Sequence, residues 1–311
     1  MNALDDLLDT LDTVYGEAGT LLDPGTAHVV IDGTRVLSRH AIPGVTLSAR
    51  ETDQGVVADL VVARGARIAV PIHTCIGLTV SQATQRIHLR IRLEPQASAE
   101  VLAHCLFPRA EVARHVMDAR IELGEGAVLR YAEGHYHGWS GGVEVRPRST
   151  VRIGPRGRFF SDFSITTGRV GRLALSQQVD VAEEAVAEIT ARVHGRETDV
   201  IRLEDELVLA GREARGLIKT RIALQDEARA EVVGIARGQA EGARGHMDCL
   251  EIVRDRAVAR AEPIVEVSHP LAKVTHEAAV GTVDQRQLET LMAHGLSPDE
   301  AVEVIVTGML R

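Results

Sequence analysis

Four short stretches combine thiol, imidazole and carboxylate side chains closely enough to act on one centre. His246-Met247-Asp248-Cys249 follows Gly242 and Gly245, and Thr275-His276-Glu277 opens the C-terminal region. Glu133-Gly134-His135-Tyr136-His137-Gly138-Trp139 is the third stretch, and the fourth pairs His73 with Cys75 and His104 with Cys105. Together these donors suit iron or zinc. Other common chemistries lack their residues: the chain has no Ser-His-Asp order, HExxH, CxxC or P-loop, and Gly242-Ala243-Arg244-Gly245 lacks the Lys-Ser/Thr that a phosphate loop needs. Each stretch also has a structural reading. His135 and His137 flank Tyr136, so they share a strand face and are expected as an exposed polar pair. His73 and Cys75 share a face and read as buried and structural. His276-Glu277 reads equally as the start of a helix. The cysteines (Cys75, Cys105, Cys249) are odd in number and far apart, which is no disulfide framework.

The elements that must position these groups change character along the chain. Leu4, Leu7, Leu8, Leu11, Val14 and Tyr15 fall on one helical face, and Gly16, Gly19 and Pro24-Gly25 end that helix. From about residue 27, short extended runs take over: Ala27–Ile31, Gly55–Val62 and Arg86–Leu93, the last alternating polar with apolar residues. The centre repeats. Turns such as Gly124-Glu125-Gly126-Ala127, Gly154-Pro155-Arg156-Gly157, Glu183-Glu184-Ala185 and Gly211-Arg212-Glu213-Ala214 place small residues at 127, 157, 185 and 214, spacings of 30, 28 and 29. Ala228 and Ala257 repeat the 29, and 214 to 228 is 14, about half of it. A constant interval of short strands and turns predicts stacked coils, each burying its apolar edge against the next. A β-sandwich would favour Asn-Gly or Asp-Gly hairpins, and only Asp32-Gly33 fits. After Val267 the pattern becomes helical: Asp284 with Gln287, then Ser297-Pro298-Asp299-Glu300, mark two helix starts. These helices would cap the open end of the stack or form a docking surface. The expected organisation is an N-terminal helical segment (1–25), a coil core (26–270) and a C-terminal helical segment (271–311).

Composition narrows the function. A net charge of −9 with interspersed Arg, Glu and Asp is a solvated mixed surface and argues against a nucleic-acid partner. Only 3% of residues are aromatic, which suits a narrow interior of stacked Val, Ile and Leu. No run approaches the ~18 apolar residues of a membrane span, and the acidic start is not a signal peptide, so a cytoplasmic location is expected.

The C-terminal run resembles the terminal signature of the SufB/SufD family of iron–sulfur cluster assembly. The residues that carry it are Val274-Thr275-His276-Glu277-Ala278-Ala279-Val280-Gly281, then Asp284, Gln287-Leu288, Leu291-Met292, His294-Gly295-Leu296-Ser297, Glu300-Ala301 and Ile305-Val306-Thr307-Gly308. The resemblance implies a right-handed parallel β-helix with a short N-terminal helix and a C-terminal helical segment. It further implies a scaffold rather than an enzyme, a separate SufC-like ABC ATPase docking on the C-terminal helices, and a homodimer holding a transient cluster at its interface. A cysteine desulfurase and apo iron–sulfur proteins are further partners it suggests. His276 matches the family's functional histidine and Glu277 the glutamate after it, while Thr275 replaces an acidic residue. Ungapped alignment puts Asp248 at the family cysteine's position, with Cys249 one residue later and hence on the opposite strand face unless a bulge intervenes. The implied ligands are Cys249, His276 and Glu277, with His246 or Asp248 in support. Two other readings stand beside this one: a SufD-like structural partner that holds no cluster, and a metal-dependent β-helical or cupin-like enzyme using His135, His137 and Cys75.

Overall fold

Period-two alternation along almost every strand dictates the architecture, because strands so patterned have one face to bury. In the structure, a computed structural model that describes residues 2–310, two sheets bury those faces against each other. After α1 (Ala3–Tyr15) and α2 (Ala18–Leu21), the chain enters the sheets through two hairpins. β1 (His28–Asp32) pairs antiparallel with β2 (Arg35–His40), and β3 (Val45–Thr52) pairs antiparallel with β4 (Gly55–Val62). From there it winds as a parallel β-helix of about eight turns. One sheet continues through β5 (Ile72–Gly77), β7 (Ser98–Leu106), β9 (Val128–Tyr136), β11 (Arg158–Ile165), β13 (Val186–Gly195), β15 (Arg215–Leu224), β17 (Arg244–Val253) and β19 (Lys273–Gly281). The other continues through β6 (Gln82–Leu93), β8 (Val112–Leu123), β10 (Val143–Ile153), β12 (Arg172–Val181), β14 (Val200–Leu209), β16 (Arg229–Gly238) and β18 (Val258–Val267).

The repeat seen in the sequence is the coil, and the half-interval of 14 arises because each coil turns two corners. One corner stacks Gln96, Gly126, Arg156, Glu184, Glu213 and Gly242, and the other stacks Glu197, Asp226 and Asp255, all with positive φ. Their N–H groups continue the ladder round the bend: Gln96 donates to the Glu125 carbonyl (2.8 Å), Gly126 to Pro155 (2.9 Å) and Arg156 to Glu183 (2.8 Å). The small residue after each corner faces inward, where Ala127, Ala185, Ala214 and Ala228 are fully buried. Outward-facing charges pair between neighbouring coils, as Arg202 does with Glu231 and Arg237 with Glu206 and Glu266. This accounts for the mixed surface at near-zero mean hydropathy.

Asp32-Gly33 forms the hairpin that it fits in the sequence, joining β1 to β2 at the start of the solenoid. Two features differ from the sequence reading. The helical segment expected from residue 271 starts later, since Lys273–Gly281 pairs in register with β17 as one more strand. Val274, Ala278 and Val280 keep the inward phase of this strand, interrupted only at His276, and the strand is exposed because no further coil covers it. The final helices, α3 (Gln285–Ala293) and α4 (Pro298–Met309), do not close the stack. Val306 and Leu310 of the last turns pack beside Ala223 on the flank, Arg254 reaches Asp299 (2.6 Å), and the last coil stays exposed.

Candidate functional site

The open end of the solenoid brings the C-terminal candidate residues onto two neighbouring strands. β17 and β19 pair without interruption from Arg244 with Lys273 to Ile252 with Gly281, so no bulge intervenes. His246 lies beside Thr275, Met247 beside His276, Asp248 beside Glu277 and Cys249 beside Ala278. Paired residues of parallel strands point to the same side, which divides the five expected ligands into two sets. His276 shares the inward face with Met247 and Cys249, one strand over and two positions along. Glu277 shares the outward face with Asp248 and His246. The one-residue offset of Cys249 therefore places it with His276, not with Glu277.

The two faces are chemically unlike. Outside, Arg221 grips the Asp248 carboxylate through two hydrogen bonds (3.0 and 2.5 Å) and holds its pKa below the usual carboxylate range. His246 Nδ1 meets the Thr275 hydroxyl at 2.8 Å. Asp248 and His246 thus already have protein partners. Inside, Cys249 is buried next to Thr220 of β15. Burial raises its pKa to about 11, with Glu251 and Asp205 adding to the rise. Asp205 and Glu251 are themselves pushed up to about 7, chiefly by burial. Asp205 Oδ1, Thr220 Oγ1 and both Glu251 carboxylate oxygens have no hydrogen-bond partner among the described residues. Buried polar atoms are normally satisfied, so this group marks a place prepared for something beyond the chain itself. Cys249, Glu251 and His276 share the inward face of the last two strands, with Asp205 buried deeper on β14, and thiol, imidazole and carboxyl are the donor types that suit iron and its sulfide clusters.

Asp205, Thr220 and Glu251 were not singled out by sequence reading, although a signal was present. Asp205 interrupts Ile201-x-Leu203-x-x-x-Leu207-x-Leu209 at an inward phase, and Glu251 follows Met247-x-Cys249-x in the same phase. A charge at an apolar beat of a strand is the mark of an internal site.

The remaining stretches are buried elsewhere. His135 and His137, expected as an exposed pair, lie inside the solenoid. Tyr131, Glu133 and His135 occupy the inward positions of β9, so the polar residues follow the apolar phase. His137 Nδ1 donates to the Val170 carbonyl (3.0 Å), leaving its Nε2 to accept from His135 Nδ1 (3.1 Å). One proton then lies between His135 Nε2 and Glu133 Oε1, 2.7 Å apart, while the Tyr131 hydroxyl donates to Glu133 Oε2 (2.9 Å). Burial, helped by His135, lowers the His137 pKa to about 3, in keeping with its neutral role in this chain. A small cavity of about 30 Å³ lies between this network and Asp205, also lined by Ser161 and Gln177.

Cys75 belongs to neither group. It packs under α1 with Leu7, Leu11 and Leu106 on the outer face, opposite to the side used by Cys105 and His135. The combination of His135, His137 and Cys75 therefore cannot form one centre. His73 and His104 sit on that same outer face, beneath the N-terminal helices.

Comparison with known proteins agrees with the fold and with the terminal signature. The family model for the SUF system FeS cluster assembly, SufBD core domain, matches residues 77–309. An iron–sulfur cluster assembly SufBD family protein of Methanocaldococcus jannaschii is 36% identical over 282 residues, covering 91% of this chain and 89% of that protein. A SufBD family protein of Pyrococcus horikoshii is 30% identical over 305 residues, covering 97% and 93%. The assembly protein SufB of Bacillus subtilis matches more locally, at 36% over 74 residues. With the domain spanning most of the solenoid and these relatives aligned nearly end to end, the chain belongs to the SufBD family of iron–sulfur cluster assembly proteins.

Proposed function

We propose that the chain is a scaffold that holds a nascent iron–sulfur cluster at the open end of its solenoid, with Cys249 and His276 as the inward ligands. The observation that carries this reading is the shared face of Cys249 and His276 on adjacent terminal strands, beside buried carboxyls without partners. Thiolate binds soft iron–sulfur centres, whereas imidazole and carboxylate make more labile bonds. Mixed ligation suits cargo that is later handed on. Glu277 stands at the rim on the outward side, where Arg221 already holds Asp248, so its contribution requires a second subunit or a movement of the last coil. In the reading advanced here the protein works as a homodimer across this end. A SufC-like ABC ATPase docks on α3 and α4, which lie on the flank and leave the open end free. A cysteine desulfurase would be the sulfur source and apo iron–sulfur proteins the recipients.

The thiol is protonated in the resting arrangement because burial and two acids oppose its ionisation. Loading therefore displaces a proton, and carboxyls with pKa near 7 stand next to it. Anaerobic reconstitution with iron and sulfide tests the assignment through the visible charge-transfer absorption of the cluster. Cys249→Ala and His276→Ala are expected to lose most of it, and Asp248→Asn to keep it. Full loading of Cys249→Ala would remove Cys249 from the ligand set, whereas failure of the unaltered chain to load any cluster would leave the SufD-like supporting role.

A further inference from the structure

The N-terminal helices cover a group of donors that lies outside the proposed cluster site. On β5 and β7 the outward face carries His73, Cys75, Glu100, Leu102 and His104. Gly16 ends α1 in the left-handed conformation, and the turn it makes lowers Glu17, the residue before α2, onto this face. The His104 Nε2 then lies 3.3 Å from Glu17 Oε2. His73 stacks near His104 with ring centroids 6.3 Å apart, so one donor atom each from Glu17, His73 and His104 fall within 4.8 Å of one another.

A simple ion pair does not explain this group. Glu17 Oε2 is buried without any hydrogen-bond partner, although His104 is so near, because the pair lacks hydrogen-bond geometry. His73 Nδ1 and His104 Nδ1 are likewise unpartnered, in side chains only 1% and 4% exposed. A buried carboxylate oxygen without a partner is costly unless something satisfies it, and His73 Nε2 beside it has only the Thr20 hydroxyl, at 3.5 Å. Two ligands bonded to one zinc ion at about 2.1 Å in a tetrahedral arrangement lie about 3.4 Å apart, close to the His104–Glu17 separation. Glu100, on the same face of β7, adds negative charge to the surroundings.

We propose that Glu17, His73 and His104 bind one divalent transition-metal ion, of the zinc or ferrous class, which clamps the N-terminal helices to the outer face of the solenoid. Two imidazoles and one carboxylate select such ions over calcium or magnesium, which take oxygen donors, and over cuprous copper, which takes sulfur. The site shares no residue with the cluster ligands, so it stands or falls apart from them.

The test uses the full-length Cys249→Ala/His276→Ala chain, stripped with chelator and titrated with Zn²⁺ under equilibrium dialysis, with the unaltered chain in parallel. One equivalent is expected to bind to the parent and to vanish when His73→Ala and His104→Ala are added. Glu17→Gln, which preserves shape, should weaken binding by at least about tenfold. It should also abolish the rise in thermal midpoint that Zn²⁺ produces in the parent. Cobalt in place of zinc should give a visible band without thiolate charge transfer. A thiolate band would mean that Cys75, or Cys105 with Glu133 and His135, holds the ion, and would overturn the proposal. So would an undiminished equivalent in the His73/His104 variant, or no binding to the parent.

Discussion

At the scale of single residues, carboxyls buried inside the solenoid make its stability sensitive to pH. Asp205 and Glu251 have pKa values raised to about 7 by burial, well above those of free carboxyls. The native chain therefore binds more protons than the unfolded chain between about pH 4 and about pH 7. By linkage, stability falls as pH rises through that window and levels off above it, where both carboxylates are charged in either state. Asp205→Asn with Glu251→Gln should remove most of that fall, so that urea midpoints at about pH 5 and about pH 8 converge. If the double variant keeps the full slope of the wild type, the acids are not the groups responsible. A different arrangement appears at Asp199, which is fully buried but well supplied with hydrogen-bond donors. Its carboxylate accepts from the Arg169 guanidinium and from the N–H groups of Val170, Gly171 and Arg196. Four donors satisfy it, and the corner is held in shape.

At the scale of elements, the corners and hairpins carry the backbone constraints. Gly33 and Gly55 both have positive φ, but their surroundings differ. A Cβ at Gly33 would meet nothing within 4 Å, while at Gly55, with φ of 125°, it would stand 2.2 Å from the Arg86 carbonyl oxygen. Gly33→Ala should cost only about 1 kcal/mol, the usual penalty of the left-handed region. Gly55→Ala adds a conformation open essentially to glycine alone and a clash with the next coil, and should cost about 3 kcal/mol or more. Chemical denaturation of the two variants measures the difference, and equal losses would contradict the close approach. The final helix depends on side-chain caps in a similar local way: Ser297 and Glu300 form a reciprocal capping box, read directly from their spacing.

At the scale of the whole molecule, the two ends of the solenoid are treated differently. The N-terminal end is finished by antiparallel hairpins and covered on its outer side by α1 and α2. The C-terminal end presents β18 and β19 as sheet edges, with Val258, Val265, Val267, Leu271 and Val280 exposed nearby. Unpaired edges with apolar side chains invite another chain, most simply a second copy. Light scattering should find a dimer, and Val265→Lys with Val280→Lys should shift it to monomer while circular dichroism stays unchanged. A monomeric wild type at micromolar concentration would reject pairing across this end.

The sequence by itself determined the architecture, the N-terminal helix, the corner spacing and the final helix starts, because these depend on local periodicity, turn chemistry and capping over a few residues. The terminal signature around His276 also declared the family without any coordinates. Only the tertiary structure decided which side chains meet. Whether Cys249 faces His276 or Glu277 depends on register between strands 29 residues apart in coil repeat, and a shift of one residue reverses it. The inward placement of His135, His137 and Asp205, and the convergence of Glu17 on His73 and His104, arise the same way. In a β-helix, chemistry is assembled by stacking between coils, and stacking brings together residues that no spacing along the chain connects.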